Sequence, residues 1–365
     1  MRKITVDARN FYDALSKVSK VPQKSVIPIL EEVLVQVSDG RCTLSATDLN
    51  TWLAVDIPAQ GDDLSFAFIR TQEVMRACGH FDGELTLEVS GPSSENSHFL
   101  DLYLHCGHRS AEFRVNLADD YPVFPQVEDG PTVTINASHL YERIERVRYA
   151  TSKSGKSTRV ISTCVQCVDT RVFSLDGFRM ACDTDENLKF PRHFMARGTQ
   201  LAHLKLFGNA VVTAQIGMRY VHFTDDAMSL TIRTVEAVPF DLDAAIPKTY
   251  QNEFYVSPKN FLQELDFLKK FTSDASKPYV QFRGDELMMS VPGGKYRTSI
   301  KLNGSNDITL SFDLFYMMDA LRQFKGEQWI KMKLSGVYSP MILEAEGRGD
   351  IAMVLPARLR SELAA

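Results

Sequence analysis

Between Ser25 and Ala59 the apolar positions recur with period two. Leu34 and Val35 lead to Asp39-Gly40, Cys42 and Leu44 follow, and Leu53 and Val55 come after an Asp48-Leu49-Asn50 corner. Alternation of this kind marks half-buried strands. Asp39-Gly40 supplies the turn, because glycine accepts a positive φ without steric cost. The stretch is therefore expected to form three antiparallel strands.

Elsewhere the period changes to that of a helix. ITVDARNFYDALSKVSK, VTINASHLYERIERVRYATS and FYVSPKNFLQELDFLKKFTS each read as a short strand, a polar cap and an amphipathic helix. Asp7, Asn136 and Ser257 stand at the N-cap positions, and Pro258 suits a first helical turn. The apolar stripes are Phe11, Leu15 and Val18, then Leu140, Ile144 and Val147, then Phe261, Leu265 and Leu268. A second strand-to-helix passage follows each of these, at FAFIRTQEVMRACG, FMARGTQLAHLKLFG and LSFDLFYMMDALRQFKG. The pattern predicts an α+β protein of six helix-plus-antiparallel-sheet units paired into three tandem domains, 1–126, 127–247 and 248–365. Linkers are expected at Asn116–Thr132 and Asp241–Glu253, where Pro and Asp interrupt the periodicity.

Charge adds a second pattern. Opposite the apolar stripes stand Lys17, Lys20, Arg143, Arg146, Lys259, Lys269 and Lys270, and the second helices add Arg76, Arg197, Lys205, Arg322 and Lys325. The net charge is −5 over 365 residues. A basic bias on every helix of an acidic chain implies one concentrated basic surface, suited to sequence-independent contact with phosphates. The start MRKITVDARN lacks the apolar core of a signal peptide, and no apolar run has the length of a membrane span. Six scattered cysteines without a small-domain framework suit reduced thiols in a cytosolic setting.

Several motifs point elsewhere and carry little. Gly155-Lys156-Ser157-Thr158 looks like the end of a phosphate-binding loop but follows a helix and lacks the earlier glycine. Cys164 and Cys167 form a CxxC whose offset puts the thiols on opposite faces of a strand. His105 and His108 flank Cys106 in a turn-like segment. Arg348-Gly349-Asp350 reads as a turn, and Asp119-Asp120 as solvated linker. No nucleophile, base or metal set emerges, so no metal or cofactor is expected.

Four motifs in order resemble the beta subunit of bacterial DNA polymerase III, the beta sliding clamp family. They are Pro28-Ile29-Leu30 with Thr47-Asp48-Leu49, the linker FRVNLADDYPVFP, Leu175-Asp176-Gly177-Phe178-Arg179-Met180-Ala181, and Met353-Val354-Leu355-Pro356-Ala357-Arg358-Leu359. The resemblance implies three clamp-like domains closing as a ring-shaped head-to-tail homodimer around duplex DNA, with no catalytic residue. It implies DNA-facing Lys24, Arg76, Arg146, Arg197 and Lys270, and a dimer interface containing Phe113, Val115 and Phe271.

It also implies a pocket for partner peptides. The first subsite would comprise Ile161, Leu175, Gly177, Phe178, Arg179, Met180, Met353 and Leu355, with Phe240 and Ala245 at its edge. The second would comprise Val160, Asp313, Tyr316, Pro340, Pro356, Ala357 and Arg358. Leu175 and Phe178 replace a family threonine and histidine, so the pocket should be more apolar. The implied partners are the replicative polymerase alpha subunit, the clamp loader, and other polymerases and repair proteins carrying clamp-binding motifs. A cytoplasmic, nucleoid-associated protein is implied, with no membrane contact. Alternative readings are a clamp-like paralogue for plasmid, phage or repair synthesis, and a hydrolase or transferase using the Asp176–Arg179 turn. The six residues Arg360–Ala365 run past the family's terminal Arg-Leu and read as a frayed end or a cover over the pocket.

Overall fold

A computed structural model describes residues 1–22, 24–91, 99–126, 129–152, 159–272, 279–283, 286–290, 296–301 and 309–357. The fold is mixed, with helices packed on antiparallel sheets. Its contacts divide the chain into two compact units. One joins Met1–His139 to Thr199–Thr234, and the other joins Leu140–Gly198 to the chain from Val235 onward. These units do not follow the expected boundaries at 126 and 247, because the strands of the middle third belong to two different sheets.

In the first unit, a single sheet runs from Thr132–Asn136 through Val211–Ile216, Tyr220–Thr224 and Met228–Arg233 to Thr51–Pro58. It continues through Arg41–Thr47, Val33–Ser38, Leu64–Phe68, Arg109–Leu117, Phe99–Cys106, Glu84–Ser90 and Arg2–Asp7 to the short Gln60–Gly61. The three strands expected between Ser25 and Ala59 are present, with Asp39 and Gly40 at φ +51° and +74°. Pro28-Ile29-Leu30 lies in the 3-10 turn Pro28–Glu31, just ahead of the first of these strands. The expected linker at Asn116 begins inside a strand, since Arg109–Leu117 is paired through Leu117.

The helix Ala8–Val18 is capped by Asp7, whose carboxylate accepts from the backbone N–H groups of Arg9 and Asn10. Phe11, Leu15 and Val18 are fully buried, and Phe11 meets Phe68 edge-on at 6.3 Å. Asn136 caps the helix Ala137–Arg148 by accepting from the N–H of His139. Ser257 caps Pro258–Lys269. FMARGTQLAHLKLFG yields only a four-residue helix, Gly198–Leu201, continued as the 3-10 segment Ala202–Phe207 and stopped by Gly208 at φ +59°.

In the second unit, an eight-stranded sheet runs Phe194–Arg197, Cys164–Val168, Arg171–Leu175, Arg179–Thr184, Asp350–Val354, Met341–Glu344, Ile330–Leu334, Asn252–Val256. A further sheet joins Arg297–Lys301, Glu286–Ser290, Tyr279–Arg283 and Thr309–Asp313. Phe261, Leu265 and Leu268 pack with Met317, Leu321, Met332 and Leu343 in one core.

Arg143 departs from its expected place on a basic surface. Its side chain is 2% exposed and donates to the carbonyls of Thr170 and Asp183, with the Asp183 carboxylate 3.6 Å from Nε. A guanidinium this deep needs such partners, since an unpaired buried charge is strongly unfavourable. Among the described residues no helix is long and apolar enough to cross a membrane.

Candidate functional site

The eight-stranded sheet has two faces, and the site grows from one of them. Directly opposed residues on antiparallel strands share a face. Leu175 opposes Met180, Met180 opposes Met353, and Met353 opposes Ile342. One apolar row therefore crosses four strands. Two residues further along each strand, Phe173, Cys182 and Ile351 extend the same face. Leu242, Ile246 and Tyr250 pack over it.

At the end of this row the chain turns at Asp176-Gly177-Phe178. The Asp176 carboxylate accepts from the N–H groups of Phe178 at 3.0 Å and Arg179 at 3.1 Å. Gly177 sits at φ +91°, where a side chain would be strained. The N–H of Leu355 donates to the carbonyl of Phe178 at 2.9 Å, joining the last described strand to the turn. The turn thus holds Phe178 outward, 60% exposed, and stacked at 6.0 Å on Tyr316. Tyr316 lies in the helix Leu314–Arg322, whose N-cap is Asp313. Burial raises the Asp313 carboxyl above its ordinary pKa, against the lowering effect of the two capping N–H groups.

Arg179 is held inside rather than offered to solvent. Nε lies 3.2 Å from the Asp176 carboxylate and Nη1 lies 2.7 Å from that of Asp319. Its guanidinium carbon stands 4.5 Å from the Tyr316 ring centre and 5.6 Å from that of Tyr149. Asp319 also pairs with Arg322 at 2.7 Å, so two carboxylates balance two guanidinium groups and the apolar, aromatic rim carries little free charge.

The predicted pocket residues divide by depth. Met180, 1% exposed, and Met353 form the floor, whereas Leu175, Tyr316, Pro340, Leu355 and Pro356 are half-buried. Phe178 and Phe240 are exposed at the rim. Ile161 is half-buried and Val160 exposed in the 3-10 turn Val160–Thr163 that precedes the strand Cys164–Val168. Ala245 ends the short helix Leu242–Ala245 on the covering segment. Arg358 and the tail Arg360–Ala365 lie outside the described residues, as does Gly155-Lys156-Ser157-Thr158.

Sequence reasoning missed Gln166, Asp319 and Tyr149. Gln166 is fully buried, and its Oε1 accepts from the N–H of Phe240 at 3.0 Å. The available signal was a lone amide in the otherwise apolar strand CVQCV.

Of the predicted DNA-facing residues, Lys24, Arg76, Arg197 and Lys270 are exposed. Arg146 is exposed as well, and shares Asp183 with Arg143, at 3.2 Å. Of the predicted dimer residues, Phe271 is 36% exposed and stacks on Tyr296 at 3.7 Å, and Phe113 is half-buried. Val115 is corrected: opposed by both Phe68 and Leu100, it is wholly buried within its own sheet and has no side chain to offer a partner.

The set-aside motifs have structural roles. Arg348 makes a two-pronged bond to Asp350, at 2.7 and 2.6 Å, and a third contact to Glu327. Cys164 and Cys167 are buried, and that burial raises both thiols above their ordinary pKa. Among the described residues no cluster of three or more His, Cys, Asp or Glu could hold a metal.

Residues 2–125 match the family model described as DNA polymerase III beta subunit, N-terminal domain. The beta sliding clamp of Bacillus subtilis (strain 168) is 22% identical over 380 residues, covering 98% of this chain and 99% of the relative. That of Staphylococcus epidermidis is 21% identical over 383 residues, covering 98% and 100%. The crystal structure of the DNA polymerase sliding clamp from Caulobacter crescentus superposes with a TM-score of 0.86 at 19% identity, over 98% of this chain and 100% of that one. The beta subunit from Thermotoga maritima gives 0.84 at 22% identity, over 99% and 100%.

Proposed function

We infer that this chain belongs to the DNA polymerase III beta subunit family and acts as a DNA sliding clamp, a processivity factor that encircles duplex DNA and tethers a polymerase. The observation that carries this reading is agreement along nearly the whole chain: 98% of it aligns with the Bacillus clamp in sequence and with the Caulobacter clamp in fold. A ring holds DNA by topology, so the protein side needs only phosphate contacts and no base readout. Exposed Lys24, Arg76, Arg197 and Lys270 fit that role.

The ring would be a head-to-tail dimer of three-domain protomers divided at 126/127 and 247/248. The strand Arg109–Leu117 supports this. Leu64–Phe68 pairs with it only over Val115–Leu117, which leaves Arg109–Arg114 without a strand on that side among the described residues. Such an edge invites pairing with a second copy. Phe113 would meet the partner there, and Phe271 with Tyr296 would contribute the opposing edge of the contact.

The Leu175–Met180–Met353–Ile342 floor with its Phe178 and Tyr316 rim would receive the apolar side chains of a partner's short motif. Met and aromatic walls repack around different peptides at low cost. The replicative polymerase alpha subunit, the clamp loader, and other polymerases and repair proteins with clamp-binding motifs are the partners this reading names, in the cytoplasm and on the nucleoid. The role is non-catalytic.

The test combines mass and topology. Light scattering should report a dimer, and protein loaded on nicked circular plasmid should survive a high-salt wash until the plasmid is linearised. A monomer at micromolar concentration, or equal loss from circular and linear DNA, overturns the reading.

A further inference from the structure

The turn and floor of the peptide site occur twice in the chain. In the first unit Thr47 opposes Trp52, Trp52 opposes Thr231, and Thr231 opposes His222. This is the register of Leu175, Met180, Met353 and Ile342. The preceding turn is built in the same way. The Asp48 carboxylate accepts from the N–H groups of Asn50 at 3.0 Å and Thr51 at 2.7 Å. Leu49 sits at φ +66° where Gly177 has φ +91°. The N–H of Arg233 donates to the carbonyl of Asn50 at 2.8 Å, as that of Leu355 does to Phe178. Arg233 opposes Tyr220, at the register position that Pro340 occupies beside Leu355.

The chemistry of the second copy differs. Its floor is polar and aromatic, with Trp52 edge-on to Tyr220 at 5.6 Å and His222 Nδ1 2.7 Å from the Thr231 hydroxyl. Trp52 is 5% exposed, yet its indole N–H has no hydrogen-bond partner among the described residues. A buried donor left unmade is unfavourable. Leu49 is 40% exposed in a left-handed backbone that strains a non-glycine residue. Arg233 is exposed at the rim, next in register to Trp52 and on the same face. A strained apolar residue, an unmade donor and a cation therefore surround one polar floor.

We propose that Thr47, Leu49, Trp52, Thr231 and Arg233 form a second peptide-docking site, selective for an extended segment that presents an acidic side chain. The carboxylate accepts from the Trp52 indole N–H and the Arg233 guanidinium, and Leu49 packs on an adjacent apolar residue of the peptide. The first site takes apolar side chains and the second takes a carboxylate, so a single partner with both motifs, or two partners, can be held by one protomer. This inference rests on the reading of the first site as a peptide pocket.

The experiment uses the full chain with Phe178→Asp, which disables the rim of the first site, immobilised and panned with a random heptapeptide display library. The intact chain is panned in parallel. Selected peptides from the disabled chain should share an Asp or Glu. Their affinity should fall about tenfold in Arg233→Glu, the scale of a lost charge-assisted hydrogen bond. The chain has two tryptophans, so with Trp329→Phe the remaining emission reports Trp52 and should shift on titration. Recovery of no peptide by the disabled chain, or peptides indifferent to Arg233→Glu, overturns the proposal. Failure of the intact chain to select any apolar motif instead counts against the first site, and so the two failures are separable.

Discussion

The backbone N–H of Phe240 donates to the buried Oε1 of Gln166, at 3.0 Å. Phe240 precedes Asp241, which caps the helix Leu242–Ala245 that lies over Phe173, Met180 and Met353, the floor of the proposed peptide pocket. One amide thus sets where the pocket's edge begins. The Nε2 of the same side chain is buried without a partner among the described residues. Replacement by a residue of similar size, Gln166→Leu, removes that unmade donor as well as the bond to Phe240. Thermal stability should change by about 1 kcal/mol or less, because the two effects oppose each other. Affinity for a motif peptide, measured by calorimetry, should fall severalfold as the edge loosens. Unchanged affinity would assign Gln166 to the core alone.

Depth decides which pocket substitutions are informative. Phe178 is 60% exposed, so Phe178→Asp should leave the melting temperature nearly unchanged and remove most peptide binding. Met180 is 1% exposed and packed with Phe173, Cys182 and Met353. Met180→Ala should cost about 2–5 kcal/mol of stability, as core truncations do. Denaturant titration alongside peptide binding separates the two residues.

That difference in depth also marks what the sequence could carry. Period two and the Asp39-Gly40 turn were readable because they follow from backbone geometry and local sterics. The caps at Asp7, Asn136 and Ser257 were readable for the same reason. The burial of Arg143 was not, because its partners Asp183 and Asp185 are about forty residues away and only the tertiary fold brings them together. Gln166 and Asp319 were silent for that reason too. Val115 was assigned to an interface through the family resemblance, but the partial pairing of its strand with Leu64–Phe68 puts a strand on both sides of it and buries it. The proposed peptide pocket was named only through a motif resemblance, and the charge balance of Asp176, Arg179, Asp319 and Arg322 emerged only from the geometry.

Glu32 should make stability fall as pH rises. Its carboxyl is 4% exposed, and burial pushes its pKa from 4.5 up to about 7, partly offset by the hydrogen bond from Asn116. The folded chain therefore binds this proton more tightly than the unfolded chain does. The stabilisation is complete below about pH 4.5 and is lost as pH rises through about 7. Glu32→Gln keeps a neutral side chain at every pH. The stability difference between variant and parent should grow in the variant's favour by on the order of 2 kcal/mol from pH 5 to pH 8. A difference independent of pH, in denaturant titrations at several pH values, would remove Glu32 as the source.

Arg146 should contribute less to DNA binding than its neighbours in the same proposed set. Its guanidinium lies 3.2 Å from the Asp183 carboxylate, which also faces the buried Arg143. Arg143 cannot leave, so Asp183 stays charged-paired on one side and draws Arg146 on the other. A phosphate would have to compete with that carboxylate. Lys270 and Lys24 are exposed and have no ion pair among the described residues. Each phosphate contact adds about 0.9 to the slope of log affinity against log salt on duplex DNA. Lys270→Gln and Lys24→Gln should each flatten that slope by about that amount, whereas Arg146→Gln should flatten it by about half as much or less. Asp183→Asn frees Arg146 from its competitor and should steepen the slope. It also weakens the hold on Arg143, so its stability must be measured alongside. Fluorescence anisotropy with a short linear duplex across a salt series reads all four variants. Equal slopes for Arg146→Gln and Lys270→Gln would mean that the ion pair to Asp183 opens when DNA is bound.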